Sequence, residues 1–257
     1  MGFITSLIAF ILCAFVYVRM IRREVPEQIG KAQAWVPVGA GLIAPIISTV
    51  ITVGLGMLTI KLHGGEITQS GVTMPVQQAQ QETNVVLRSL IKSFRVAGFT
   101  EELVKLLLAL LMVKIFKPKN VYEYALAFIG VGFGFTALEE VLYGGGGLAS
   151  LSRLPGFAMH MVFGILMGVN LGLARYAKLH GGSAGKHIFL GLFLPVLWHT
   201  LYDAATAFNA GLESTDENVQ VAAVVIALIV TVASTVLQFV LLVRFKNNAV
   251  KYSEMVY

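Results

Sequence analysis

The sequence predicts an all-α polytopic membrane bundle of about seven spans, with the N-terminus outside and the C-terminus cytoplasmic. Three observations predict it. Of the 257 residues, 56% are hydrophobic and only 13% charged, where a soluble domain carries about 25% charged residues. Seven apolar stretches approach or exceed the roughly 20 residues that a bilayer crossing needs. Apart from Arg88, Lys92 and Arg95, which an interfacial helix accounts for, basic residues keep to alternate connections, the pattern of the positive-inside rule.

The stretches run roughly over 2–20, 34–60, 97–116, 121–143, 155–178, 186–209 and 220–244. The first ends in Arg19, Arg22 and Arg23 and lacks a basic leader, so it reads as a retained span and not as a cleaved signal. The second carries Pro37 and Pro45, which predicts tilt or a kink. Before the third, Arg88, Lys92 and Arg95 recur at helical spacing, with Val86, Leu87, Leu90, Ile91 and Phe94 elsewhere around the helix. That reads as an amphipathic helix at the membrane interface or as an extension of span three broken near Gly98. The spans leave no length for a separate soluble domain. Residues 1–257 form one integral membrane domain with a motif-bearing core at about 97–209.

Orientation follows from the connections. Arg22, Arg23 and Lys31 lie between spans one and two, Lys117 and Lys119 between three and four, and Lys178 between five and six. Arg244, Lys246 and Lys251 follow span seven. By contrast, 62–83 holds no Lys or Arg, 144–154 holds only Arg153, and 210–219 holds acids and no base. The net charge of +5 therefore reports topology and not a nucleic-acid surface. The single cysteine, Cys13, excludes a disulfide framework and a Cys-rich metal site. The Gly144–Gly147 run is read as a flexible outer loop.

Ionisable residues inside membrane spans are functional-site candidates. With this topology, Glu101 and Glu102 lie about 6–8 Å from the outer end of span three, at about 1.5 Å per residue. Glu139 and Glu140, His160 and Asp203 fall at about the same depth on spans four, five and six, and His199 lies about 6 Å deeper. Lys105 is within reach of both residues of the first Glu pair. Adjacent glutamates point about 100° apart, so only one of that pair faces a given site squarely. Asp203 lies one turn after His199, the spacing for a carboxylate that fixes an imidazole.

Crowded carboxylates and two histidines in a pocket of low dielectric suit hydrolysis of an acyl bond by activated water. The histidines can donate to an oxyanion, or bind zinc with a glutamate. No His-Glu-x-x-His helix is present. The Gly-x-Ser-x-Gly letters at 181–185 fall in a connection between two apolar spans and follow no strand, so they are not a nucleophile elbow, and serine or cysteine catalysis has no support.

At these residues the sequence resembles the CPBP superfamily of glutamic-type (or metallo-type) intramembrane proteases. That group joins the CAAX prenyl proteases, PrsW, the YhfC family and a gamma-secretase scaffold subunit. Glu101-Glu102-x-x-Lys105 resembles the first motif as PrsW proteins carry it, and Phe135-x-x-x-Glu139 the second. His160-x-x-x-Gly164 resembles a third, and His199-x-x-x-Asp203 the last. Glu140 stands where PrsW proteins usually have Asn, and Glu139 where the prenyl proteases usually have His. The Gly130-x-Gly132-Phe133-Gly134 lead-in looks closer to YhfC-type proteins.

The resemblance implies an intramembrane endopeptidase acting on a single-pass or membrane-anchored protein, set among lipid in a cell membrane, with a prokaryotic plasma membrane expected. It implies Glu101 or Glu102 as general base, with the other oriented by Lys105. Glu139 is a second acid/base group or metal ligand, and His160 and His199 are oxyanion donors or ligands. Asp203 and Glu140 support them. No cofactor is favoured, because neither histidine sits in a local metal motif. Zinc on His160, His199 and Glu139 is the alternative. An ion- or proton-coupled transporter and a non-catalytic scaffold are the rival readings of the same polar residues.

Overall fold

A computed structural model describes residues 2–23, 25, 29–62, 66–68, 71–73, 84–143 and 156–257. They form nine α-helices: α1 Gly2–Ile21, α2 Lys31–Leu62, α3 Val85–Ser93, α4 Glu102–Phe116, α5 Val121–Tyr143, α6 Met159–Leu179, α7 Gly185–Ala205, α8 Glu217–Asn247 and α9 Ala249–Glu254. The fold is an all-α membrane bundle, as the composition predicts. Five described helices are long and apolar enough to cross a membrane: α2, α5, α6, α7 and α8. The apolar part of α1 at Ser6–Ile21 is shorter, and α4 has 15 residues. The long connection after α2 holds a short hairpin that polar composition did not announce. Its strands β1 Glu66–Thr68 and β2 Gly71–Thr73 pair antiparallel, with Ile67 opposite Val72. The Gly144–Gly147 loop and Arg153 lie outside the described residues.

Helix α5 is the centre. Residues 120–137 are all buried, because α1, α2, α4 and α6 pack around it. Its start is fixed by a polar cap. Asn120 Oδ1 accepts from the Glu123 backbone N–H at 2.9 Å, and the Glu123 carboxylate accepts from the Lys119 N–H at 2.9 Å and from Gln33 Nε2 at 2.9 Å. These groups satisfy donors that a helix start leaves open.

Glycines then let the backbones approach, which is how helices pack when lipid removes the hydrophobic incentive to associate. A Cβ on Gly164 of α6 would sit 2.6 Å from the Phe128 carbonyl oxygen of α5. A Cβ on Gly134 of α5 would lie 2.8 Å from Gly41 Cα of α2. Helix α2 runs unbroken through Pro37 and Pro45. Helix α8 stands at the periphery with most of its apolar side chains exposed, while Ser234 and Gln238 turn inward.

The predicted break at Gly98 is instead a change of helix type. Asn84 caps α3 by accepting from the N–H groups of Val86 and Leu87. The chain then passes through a π-helical segment, Phe94–Glu101, directly into α4. Helix α3 shows Val86, Leu87 and Ile91 outward and turns Ser89 and Ser93 inward.

Candidate active site

The cluster is assembled from four elements: the junction of the π-helical segment with α4, the end of α5, the start of α6 and the end of α7. The sequence-predicted residues Glu101, Glu102, Lys105, Glu139, His160, His199 and Asp203 all meet there. Four of them form the floor. Lys105 Nζ lies 2.5 Å from Glu102 Oε1 and 2.8 Å from His160 Nδ1. Glu102 Oε1 also lies 2.7 Å from His199 Nδ1. The side chains of Glu102 and Lys105 are 1% and 4% exposed. Charges this deep persist only when paired and hydrogen-bonded.

Three acids form the rim. The side chains of Glu139, Glu101 and Asp203 are 17%, 19% and 17% exposed, against 1% for Glu102. Glu139 Oε2 lies 2.6 Å from His160 Nε2. His199 Nε2 faces Glu101 Oε2 at 3.9 Å and Asp203 Oδ2 at 3.7 Å. Glu101 Oε2 and Glu102 Oε2 are both buried without a hydrogen-bond partner among the described residues, so the two glutamates differ in what holds Oε1 of Glu102. The two adjacent glutamates thus do different things. Glu102 belongs to Lys105 and His199, and Glu101 looks toward the second nitrogen of His199.

Two aromatic rings hold the charged floor together. The Phe135 ring centroid lies 4.2 Å from Lys105 Nζ and 4.6 Å from the His160 ring. Phe163 stacks on His199 at 5.1 Å and meets His160 edge-on at 6.0 Å. Phe135 was visible in the sequence through its spacing from Glu139. Phe163 was missed, although it stands one turn after His160. Glu140 points to the next face of α5, where it is buried within electrostatic reach of Cys13 on α1. Below the floor, Glu102, Lys105, Gly132 and His160, with Phe128 and Met167, line a small cavity of about 10 Å³, the size of a single water site.

The metal question turns on proton positions. Glu101, His160 and His199 each offer a ligand atom within 4.8 Å of the others, by type the two-His, one-Glu set of a catalytic zinc. Glu139, the carboxylate expected in such a set, instead pairs with His160. A lysine ammonium is only a donor, so His160 Nδ1 accepts from Lys105. In the neutral ring Nε2 then carries the proton and donates to Glu139. A metal needs a deprotonated ring nitrogen. Both nitrogens of His160 are committed, so the residues as arranged do not fit a three-ligand zinc site.

Comparison with known proteins agrees with the motif spacing. The family described as PrsW family intramembrane metalloprotease matches residues 34–234. Protease PrsW of Halalkalibacterium halodurans is 34% identical over 140 residues, covering 51% of this chain and 61% of the relative. Protease PrsW of Bacillus subtilis is 31% identical over 136 residues, covering 51% and 61%. The match therefore spans about three fifths of the length of these curated relatives. No solved structure matches.

Proposed function

The chain belongs to the PrsW family of intramembrane proteases, and we propose that it is an endopeptidase that cuts a membrane-associated protein with a water activated by Glu101. The observation that carries this is the division of labour between neighbours. Each glutamate has a buried Oε2 without a hydrogen-bond partner among the described residues, but Glu102 is held through Oε1 by Lys105 and His199, while Glu101 makes neither bond and turns its Oε2 toward His199 Nε2 at 3.9 Å. A polar gap of that width suits a bridging water.

The reaction balances with these groups alone. Glu101 takes a proton from water as the water oxygen attacks the scissile carbonyl carbon. The oxyanion that forms is met by the Nε2–H of His160, which Glu139 holds at rest and Lys105 polarises from the other side of the ring. His199 is positioned through Glu102, whose carboxylate accepts its Nδ1–H, and Asp203 flanks its other nitrogen. Glu101 then returns the proton to the leaving amine nitrogen as the carbon–nitrogen bond breaks. One new carboxyl and one new amine result.

In the bilayer the chain crosses seven times, with α1 and the α3–α4 run added to the five long helices and the N-terminus outside. Charge bias supports this orientation, and it puts the site in the outer half of the membrane. A site there suits single-pass or lipid-anchored proteins cut near the outer surface. The test is a comparison of newly formed protein termini in cells expressing wild type or Glu101→Gln. Membrane-protein termini that appear only with wild type are expected, and identical terminal profiles would refute the protease reading.

A further inference from the structure

The buried residues of the α3–α4 run form a stripe that widens at the π-helical segment. Ser89, Ser93 and Ala97 recur every four residues, Gly98 and Thr100 are buried beside them, and Glu102, Val104, Lys105, Ala109 and Met112 follow. From Ala97, the last of the four-residue series, Glu102 lies five residues on. That is the signature of the π-helical turn, which adds a residue to the helical repeat. One residue shifts the facing direction by about 100°, the same angle that separates Glu101 from Glu102. An uninterrupted α-helix continuing the Ser89–Ser93–Ala97 series would bring Glu101 onto that line.

The wide turn is clamped to α7 beside His199. Ser93 Oγ donates to the Thr200 carbonyl at 2.7 Å. Gly98 lies against Thr200, where a Cβ would collide with the Thr200 hydroxyl and lie 2.9 Å from the Val196 carbonyl oxygen. Thr200 Oγ1 is itself fixed on the Val196 carbonyl at 2.7 Å. Inside the turn, Thr100 Oγ1 donates to the Arg95 carbonyl at 2.6 Å. Ser93, Gly98, Thr100 and Thr200 are all buried.

We propose that this wide turn, seated on α7 through Gly98 and Ser93, is the positioning device that assigns the adjacent carboxylates their separate jobs. It sends Glu102 inward to hold His199 and leaves Glu101 for the reacting water. Gly98 and Ser93 are positioning residues and touch no substrate. The inference rests on the protease reading for its kinetic consequence and on geometry alone for its effect on His199.

The experiment uses the full chain in liposomes with ¹⁵N-labelled histidine, the His199 signals being assigned with His199→Asn. In wild type His199 shows a protonated Nδ1 held by Glu102. Gly98→Ala is expected to shift that signature and lower kcat about hundredfold, the scale of a roughly 1 Å misplacement, with KM within threefold. Ser93→Ala, which adds no bulk, is expected to move both in the same direction by a smaller, about threefold, change in kcat. Gly54→Ala, where an added Cβ meets nothing within 4 Å, leaves both unchanged. A folded Gly98→Ala protein with a wild-type His199 signal overturns the proposal. If Gly98→Ala does not fold, Ser93→Ala with unchanged signal and kcat overturns it. If wild type cleaves nothing, the protease reading fails, and the histidine signals still decide the positioning claim.

Discussion

Glu102 and His199 stand 97 positions apart and share a 2.7 Å hydrogen bond in the buried floor of the site. Lys105 closes on the same carboxylate oxygen from the other side. The bond joins the first and last motifs of the chain and leaves His199 one nitrogen, Nε2, to turn toward Glu101 and Asp203. Much of the behaviour of the site follows from it.

Glu102→Ala leaves Lys105 buried without its carboxylate. Removing one partner of a buried pair costs about 3–5 kcal/mol, so thermal unfolding of the detergent-solubilised protein shifts down by that equivalent. Lys105→Met costs a similar amount. The double variant Glu102→Ala/Lys105→Met costs clearly less than the sum of the two single changes, because no unpaired charge remains. Simple additivity in that cycle contradicts the pairing.

Glu139→Gln keeps the shape of the side chain and loses the charge that accepts the His160 Nε2–H. The expected outcome is a fall in kcat of about tenfold to hundredfold, the scale of one lost charge-assisted contact in a catalytic site. Stability stays within about 1 kcal/mol because the group is partly exposed. A cleavage assay with an unfolding curve on the same sample checks both.

Chelation separates the two chemistries. With His160 engaged on both nitrogens, cleavage survives exhaustive chelator treatment, and elemental analysis finds no zinc in proportion to protein. Activity lost on chelation and restored by zinc would contradict the hydrogen-bond assignment of His160.

The residues of this cluster were legible in the sequence because charges in apolar runs are conspicuous, and the basic connections supplied a common depth. The angle between adjacent glutamates predicts that the two face different partners, and in the structure they do. It did not show which residue faces which way, because the deciding feature is the π-helical segment Phe94–Glu101. That segment is seated on α7 by small residues, Ser93 and Gly98, which carry little periodic signal. Phe163 was hidden for the opposite reason, as one apolar residue among many on α6. The helical class was plain from composition. The hairpin at Glu66–Thr68 and Gly71–Thr73 was not, since its strands are three residues long.

Gly164→Val tests the scaffold apart from the chemistry. The added side chain meets the Phe128 backbone, which cannot rotate away. A loss of about 1–3 kcal/mol or more is expected from such overpacking, with a fall in unfolding temperature relative to Gly54→Ala.

The central claim is that Glu101, not Glu102, activates the water. Its most direct measurement is single-turnover cleavage of a membrane-anchored substrate by purified protein in liposomes, comparing wild type with Glu101→Gln, each checked for an intact His199–Glu102 signature. Loss of a general base predicts a rate at least about 10²-fold lower for Glu101→Gln with that signature unchanged. Cleavage by folded Glu101→Gln at the wild-type rate would contradict the account.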